Sequence, residues 1–273
     1  KNSSVLIYGG NGSGKTNILE AISLLNQGKG LRKANIDNFL YKENIHDNSN
    51  IRWGINIDFV APNGQFNIGT GLKKSGTNKS RIAKVNSNYA PLSSLGEILN
   101  ISWITPQICV LILSSMSEKR RFIDRLTMSI DSLHLNRVYK YDKLCRQRNR
   151  ILMQSKSDIT WLDTIESQIS ELSISIIARR LDLLEELENL YNFELKNNRL
   201  TEHFPSVGII INGKIEKLLE DNPAVEVEDY IKSELKKSRS DYESSVSGPN
   251  KSIIEIFNRI DNKNLDTSST GEQ

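Results

Sequence analysis

Apolar and polar positions alternate along residues 51–86. The stretch "IRWGINIDFV" (51–60) is followed by the turn residues Pro62, Asn63 and Gly64 and then by "QFNIGTG" (65–71), and "RIAKVN" (81–86) has the same character. Alternation with turn residues between the runs is typical of antiparallel strands with one buried face. The pattern therefore predicts an antiparallel sheet early in the chain.

A helical pattern follows from Ser117 to about Asn198, where the chain contains neither proline nor glycine. We predict two long helices that are separated near residues 155–158, where Ser157 or Asp158 can cap the second helix. Apolar residues in that second helix recur in steps of three and four, as in the seam of a helical hairpin. They are Leu162, Ile165, Ile169, Leu172, Ile176, Leu183, Leu187 and Leu190. Ordinary packing inside the molecule, without an outside partner, also explains this stripe.

The pattern changes again after the helices. The run "VGIIING" (207–213) predicts a strand and a turn. The run "AVEVEDYIKSELKKS" (224–238) predicts a further helix, with Pro223 near its start. Proline suits the first turn of a helix because the amide that it lacks would have no partner there.

The strongest chemical signal lies near the beginning of the chain, at Gly9–Thr16. The residues "GGNGSGKT" match the phosphate-loop pattern GxxxxGK[ST] in full. The apolar run "SSVLIYG" before them predicts a short strand at Val5 to Tyr8. The run "NILEAISLL" after them predicts a helix, because Ile18, Leu19, Ile22 and Leu25 have the spacing of one helical face. Strand, glycine loop and helix in this order predict a nucleotide site.

Each residue type in this loop suits a phosphate ligand. Glycines allow backbone amides to converge on phosphate oxygens, and a helix N-terminus adds partial positive charge. Lys15 is predicted to reach the β- and γ-phosphates of a nucleotide, and Thr16 to hold Mg²⁺. The loop residues predicted to contact the nucleotide are Gly9, Gly10, Asn11, Gly12, Ser13, Gly14, Lys15 and Thr16. The alternative is a glycine-rich turn without a ligand.

Composition narrows the class of protein. The chain has 273 residues, enough for one large or two smaller domains, and two cysteines, Cys109 and Cys145, that form no CxxC pair. We expect a reduced, cytoplasmic setting, without a signal peptide and without a membrane span. The three histidines, His46, His134 and His203, have no ligand spacing, and no chemistry is assigned to them.

Charge is distributed unevenly, although the net charge is only +3. Residues 137–150 carry six basic side chains and one acidic side chain, whereas residues 182–194 carry five acidic and no basic ones. A basic helix face can contact DNA phosphates, and a solvated face explains the same run equally well. The candidate DNA contacts are Lys119, Arg120, Arg121, Arg146, Arg148 and Arg150.

Five stretches in order carry a family resemblance: "GGNGSGKTNILEAISLLNQGKGLRKA", "WITPQ", "SEKRRFIDRL", "PAVEVEDYIKSELKKSRS" and "STGEQ". Together they resemble the RecF family of recombination and replication repair ATPases, in its alphaproteobacterial form. The extended phosphate loop is shared with the ABC-type ATPase heads of the RecF and SMC group, and "TPQ" followed by "EKRRFIDRL" narrows the resemblance to RecF.

The resemblance implies an α/β fold: a P-loop ABC-type ATPase head with an antiparallel β subdomain and an inserted helical-hairpin lobe. It divides the chain into a first part of the head at 1–115, a helical lobe at 116–204, and a return to the head at 205–273. It further implies ATP and Mg²⁺ as cofactors, a homodimer that closes on ATP, binding of single-stranded and double-stranded DNA, and a role in recombinational repair and the SOS response. Other recombination mediator proteins are expected partners.

The resemblance also assigns residues outside the loop. Gln107 of "TPQ" matches the glutamine that links Mg²⁺ and the attacking water to the second lobe. Ser269, Thr270 and Gly271 match the start of the signature motif, which binds the γ-phosphate of the partner subunit's ATP. Lys15 and Gln107 are thus the expected catalytic residues, Thr16 and Gln107 the expected metal ligands, and Ser269 and Gly271 further nucleotide contacts.

Because of three departures from the family pattern, we expect that this chain alone is not a competent ATPase. The chain stops at Gln273, before the Walker B strand that carries the Mg²⁺-binding Asp and the catalytic Glu of the family. The residues after Gln107 are wholly apolar, and Asn250 and Lys251 replace a family His-Arg pair. Two alternatives therefore remain: a non-enzymatic nucleotide-binding helical interaction module or decayed gene copy, and another P-loop enzyme such as a kinase.

Overall fold

The structure is a computed structural model in which two compact units can be described, Lys1–Ile104 and Thr105–Gln273. The residues that it describes are 4–26, 28–32, 35, 39, 51–61, 64–75, 78–105, 114–154, 158–197, 206–240, 247–260, 262 and 264–265. The three-part division of the chain made from the resemblance remains a prediction.

The first unit combines a helix, a four-stranded sheet and a short second helix. Its elements are α1 (Lys15–Ser23), β1 (Ile51–Ala61), β2 (Gly64–Ser75), β3 (Asn78–Val85), β4 (Asn88–Ala90) and α2 (Ser93–Ile98). The strands pair in the order β1-β2-β3-β4, and each neighbouring pair is antiparallel. The antiparallel sheet predicted from the alternation is confirmed.

One face of this sheet forms the core of the first unit. Ile68 of β2 and Ala83 of β3 are buried against Leu25, which follows α1, and Leu95 of α2. The neighbouring inward positions of β1 are also apolar and pack against this core. They lie on one face of the sheet because side chains two residues apart on a strand point in the same direction. The apolar positions of the alternating pattern thus identify the face of the sheet that packs against the helices.

The second unit is mainly helical, with one pair of strands. Its elements are α3 (Met116–Thr127), α4 (His134–Leu152), α5 (Ile159–Lys196), β5 (Val207–Asn212), α6 (Lys214–Asp221), α7 (Ala224–Lys237) and β6 (Ile253–Asn258). Strands β5 and β6 are antiparallel. The predicted strand at 207–213 and the predicted helix after Pro223 are confirmed.

The helical region differs from its prediction in one respect. The chain forms three helices where two were predicted, because α3 ends at Thr127 and α4 begins at His134. Asp131 promotes this break: its carboxylate accepts a hydrogen bond from the amide of Leu133 (3.1 Å) and also pairs with Arg137. Such local bonds compete with helix continuation. The break before α5 falls as predicted, and Asp158 caps that helix by accepting from the amide of Trp161 (3.0 Å).

The apolar stripe of α5 is buried over only part of its length. Its members from Leu162 to Leu183 are buried, whereas Leu187 is 36% exposed and Leu190 is 56% exposed. The prediction is therefore wrong for these last two leucines. The reason is length: α4 has 19 residues and α5 has 38, so at 1.5 Å per residue the partner helix covers about half of α5.

Two clusters of buried charge join the helices of the second unit. In the first, the Arg180 guanidinium donates to both oxygens of Asp124 (2.8 and 3.0 Å), and His134 Nε2 lies 2.8 Å from Asp124 Oδ1. In the second, Arg148 Nε donates to Glu166 (2.8 Å), and Arg239 donates to the same carboxylate. Buried charges that lack a partner are costly, so these clusters fix how the helices pack.

Among the helices that the structure describes, none is both long enough and apolar enough to cross a membrane.

Candidate functional site

The phosphate loop lies directly before α1 and has the backbone shape that its glycines allow. Gly9, Gly12 and Gly14 have φ angles of 153°, 83° and 87°, all in the region that L side chains rarely adopt. The amide of Ser13 donates to the carbonyl of Gly10 (3.3 Å), which closes a turn inside the loop. The loop therefore takes a conformation that its glycines permit and bulkier residues would not.

The N-terminus of α1 opens onto this loop. Its cap residue Gly14 provides no side-chain hydrogen bond, and the first turn of α1 contains no acidic residue. The first amides of a helix lack partners within the helix and carry partial positive charge. This end of α1 is thus suited to an anion, as the sequence predicted.

Lys15 is the cation of the loop. Its Nζ donates to the carbonyl oxygens of Gly9 (2.8 Å) and Gly10 (2.7 Å), so the ammonium group lies over the turn. Thr16 follows at an exposed position of the first helical turn. Cationic, hydroxyl and amide groups converge on one small region, which is the donor set that a nucleotide triphosphate requires.

The strand predicted before the loop is not formed. Residues 4–9 do not form a strand, and Val5, Leu6 and Tyr8 are more than four-fifths exposed. A strand is held by hydrogen bonds to a neighbouring strand, and no described segment pairs with these residues. The apolar face of α1 is likewise open: Ile18 and Leu19 are about half exposed, whereas Leu25 is buried.

Arg81 holds the other end of α1, a role that the sequence did not indicate. From β3 its guanidinium donates to the carbonyl oxygens of Leu24, Asn26 (3.0 Å) and Gly28, and its Nε donates to Thr70 Oγ1 (2.9 Å). A cation suits the C-terminal carbonyls of a helix. Burial lowers the pKa of Arg81 to about 10, which leaves it charged at neutral pH. The sheet thereby fixes the helix that carries the phosphate loop.

We expect Arg81→Met to loosen α1. The variant loses hydrogen bonds from a charged donor to several carbonyls, so the local opening free energy of α1 should fall by about 2 to 3 kcal/mol. Amide hydrogen exchange across Lys15–Ser23 measures this loss. Lys74→Met, which removes a cation from the adjacent strand β2, is the control and should leave the exchange unchanged. Equal protection of α1 in both variants would contradict the role of Arg81.

The other predicted nucleotide contacts lie outside the described residues. Gln107, Ser269, Thr270 and Gly271 fall in segments for which no placement is described, as do Cys109, His46 and His203. Asn250, which replaces a histidine of the family pattern, is described, and its Oδ1 accepts a hydrogen bond from the Tyr141 hydroxyl (3.2 Å).

The predicted DNA contacts separate into buried and exposed groups. Arg148 is 6% exposed and Lys119 is 2% exposed, so neither side chain is presented on the surface, and both predictions need correction. Arg148 is buried because it neutralises Glu166 and donates to the Leu235 carbonyl at 2.7 Å. Arg120 is half-buried and donates to the Ser252 carbonyl (2.9 Å). The exposed members are Arg121, Arg146 and Arg150.

Comparison with known proteins gives the family. A model described as an AAA domain matches residues 1–244. The chain is 32% identical over 276 residues to the DNA replication and repair protein RecF of Mesorhizobium japonicum, which covers 99% of this chain and 70% of the relative. It is 34% identical over 277 residues to the RecF of Agrobacterium fabrum, with 98% and 70% covered. The chain belongs to the RecF family.

Solved RecF structures share the fold. A structure of the recombination mediator protein RecF-ATPrS in the RecFOR pathway superposes with a TM-score of 0.75 at 23% identity and covers 97% of this chain and 71% of that chain. A second structure, RecF-ATP in the same pathway, gives a TM-score of 0.73 at 22% identity. The predicted fold class, an α/β ABC-type ATPase head that combines helices with antiparallel sheets, is confirmed.

Proposed function

We propose that the chain binds ATP and Mg²⁺ at Gly9–Thr16 and acts in DNA replication and recombinational repair. The observation that carries the proposal is the phosphate loop, in which left-handed glycines, Lys15 and the open start of α1 converge. The names of the RecF relatives and the solved structure of RecF-ATP support it.

The loop residues would divide the work of holding the nucleotide. Backbone amides of the loop and the first turn of α1 would bind phosphate oxygens, and Lys15 would neutralise the terminal phosphates. Thr16 would hold Mg²⁺, which when bound neutralises charge on the phosphate oxygens. Exposure of Gly12 and Ser13 leaves the loop accessible to a ligand from solvent.

The finer parts of the proposal concern assembly. The chain would form a homodimer through ATP, with Ser269 and Gly271 completing the partner subunit's site and Gln107 linking Mg²⁺ to the second lobe. The closed dimer would bind single-stranded and double-stranded DNA and work with other recombination mediator proteins in the cytoplasm, including during the SOS response. A hydroxyl and a backbone nest complete a phosphate site only when two heads meet.

We expect Lys15→Ala to weaken ATP binding by roughly 10- to 100-fold, because a hydrogen-bonded charge contributes about 1.5 to 3 kcal/mol. Titration of a fluorescent ATP analogue in the presence of Mg²⁺ measures the affinity. Lys29→Ala, which removes an exposed cation beyond α1, is the matched control and should bind like the parent chain. Equal affinity of the Lys15 variant would refute the site, and absence of any DNA binding with ATP would refute the wider role.

A further inference from the structure

The sheet of the first unit has a second face that its core does not use. Side chains alternate between faces along a strand, so the residues that flank the buried Ile68, Thr70 and Leu72 of β2 point outward. Lys73 of β2 and Lys84 of β3 belong to this outer face. Tyr89 of β4 lies directly opposite Lys84 in the register and shares it.

Charge on these strands is of one sign. Between Asp58 and Glu97 the sequence contains no acidic residue, whereas it contains five basic ones: Lys73, Lys74, Lys79, Arg81 and Lys84. The whole chain has a net charge of only +3, so this segment is strongly basic relative to the rest. By the register, Lys74, Lys79 and Arg81 lie on the inner face, so Lys73 and Lys84 are the charged residues of the outer face of β2–β4. Positive charge without a carboxylate on these strands suits a polyanion.

Two of these lysines converge on one aromatic ring. Lys84 Nζ lies 4.9 Å from the centroid of the Tyr89 ring, and Lys73 Nζ lies 5.4 Å from it. The tyrosine is 62% exposed although it is a large aromatic residue on a sheet. The ring therefore has surface open to solvent directly beside two ammonium groups.

Glycines occupy the centre of the outer face. Gly54 of β1 pairs directly with Gly71 of β2, and Gly69 lies two residues before Gly71 on the same face. A Cβ added at Gly71 would lie 2.6 Å from the carbonyl oxygen of Trp53, so no side chain fits there without movement of the backbone. The close approach is made by the neighbouring strand β1, and Gly69 and Gly71 are both buried. The part of the outer face that is open to a ligand is therefore the exposed Tyr89 ring with the two ammonium groups beside it.

We propose that the outer face of β2–β4, formed by Lys73, Lys84 and Tyr89, binds single-stranded DNA. The lysines contact backbone phosphates and the Tyr89 ring stacks on an unpaired base, the combination that single-strand sites use. A duplex offers phosphates but no free base face, so the exposed tyrosine favours the single strand. This inference rests on the proposed function, and it places a DNA contact on the sheet rather than on helices α3 and α4, which carry the basic residues predicted from the sequence.

The test is a salt titration of binding to a fluorescein-labelled oligothymidine of about 20 nucleotides, with ATP and Mg²⁺ present. Each phosphate contact to a single strand contributes about 0.7 to the slope of log K against log salt, so Lys73→Gln combined with Lys84→Gln should lower that slope by about 1.4. Tyr89→Ala should weaken single-strand binding roughly fivefold or more, and Tyr89→Phe should retain it.

Lys74→Gln is the matched control, because it removes one charge from the next position of the same strand, on the opposite face. It should leave the slope unchanged, and thermal unfolding should show that all variants remain folded. If the parent chain binds the oligonucleotide and the double variant keeps its slope, the sheet site is refuted and the proposed function stands. If Tyr89→Ala weakens duplex and single strand equally, the stacking role is refuted. If the parent chain binds no DNA, both proposals fail.

Discussion

Replacement of Arg180 by methionine should lower the free energy of unfolding by about 3 to 5 kcal/mol, the range found when one partner of a buried ion pair is removed. Arg180 is 3% exposed and binds both oxygens of Asp124, and its Nη1 donates to the carbonyl of Pro249 (2.7 Å). Methionine fills much of the volume but leaves the Asp124 carboxylate buried without its cation. Urea unfolding followed by circular dichroism measures the loss.

The neighbouring arginine provides a matched control. Arg179 has a side chain that is 51% exposed and pairs with Asp182 at 2.9 Å, three residues further along α5. Exposed pairs contribute little, so Arg179→Met should change the free energy of unfolding by less than about 1 kcal/mol. Similar losses in the two variants would show that helix propensity, rather than the buried pair, explains the effect.

The same pair sets an acid dependence. Burial raises the pKa of Asp124, but the hydrogen bond from His134 and the attraction of Arg180 outweigh it, so the folded pKa lies below the usual 3.8. A depressed carboxyl pKa stabilises the fold above the unfolded pKa, and this contribution is lost as the pH falls through the folded pKa. Without Arg180, the attraction that lowers the pKa of Asp124 is lost, and burial raises this pKa relative to that in the parent chain. On acidification, the variant should therefore unfold at a higher pH than the parent chain.

Glu166→Gln should cost about 3 kcal/mol, because it leaves the Arg148 guanidinium buried without a counter-charge. Glu166 is 1% exposed and accepts from both Arg148 (2.8 Å) and Arg239 (3.0 Å). The amide keeps the size of the side chain, so the change isolates the charge. Thermal unfolding detected by circular dichroism reports the decrease.

Glu171→Gln is the comparison for this variant. Glu171 occupies an exposed position on the same helix, where a surface substitution should remain within about 0.5 kcal/mol. If Glu166→Gln proves as stable as Glu171→Gln, then Arg148 is neutralised by other groups and the second charge cluster does not hold α4, α5 and α7 together.

The sequence predicted those features of the fold that depend on local pattern. The alternation of apolar and polar residues predicted β1–β3, and the capping candidates Ser157 and Asp158 predicted the start of α5. The break between α3 and α4 was missed because it depends on Asp131, a single side chain that bonds to nearby groups. The exposure of Leu187 was missed because the pattern of one helix does not specify the length of its neighbour.

The part of the candidate site that is contiguous in the sequence could be predicted, whereas contacts between distant residues could not. Residues of the phosphate loop are adjacent in the chain, and their glycines determine the backbone shape. Arg81 donates hydrogen bonds to carbonyl groups more than fifty residues earlier in the chain. No sequence motif predicts such a contact. For Arg148, a basic run in the sequence does not distinguish a solvated arginine from one that neutralises a buried carboxylate.

Helix α5 is common to both hydrophobic cores of the second unit. Its first half supplies Ile165 and Ile176 to one core, and Leu183 belongs to the other. It also carries Glu166 and Arg180, one for each charge cluster. Opening of either core therefore disturbs the helix on which the other core packs, and we expect the second unit to unfold as one cooperative unit. Its slowest-exchanging amides should lie between Ile165 and Leu183 and should share a single opening free energy.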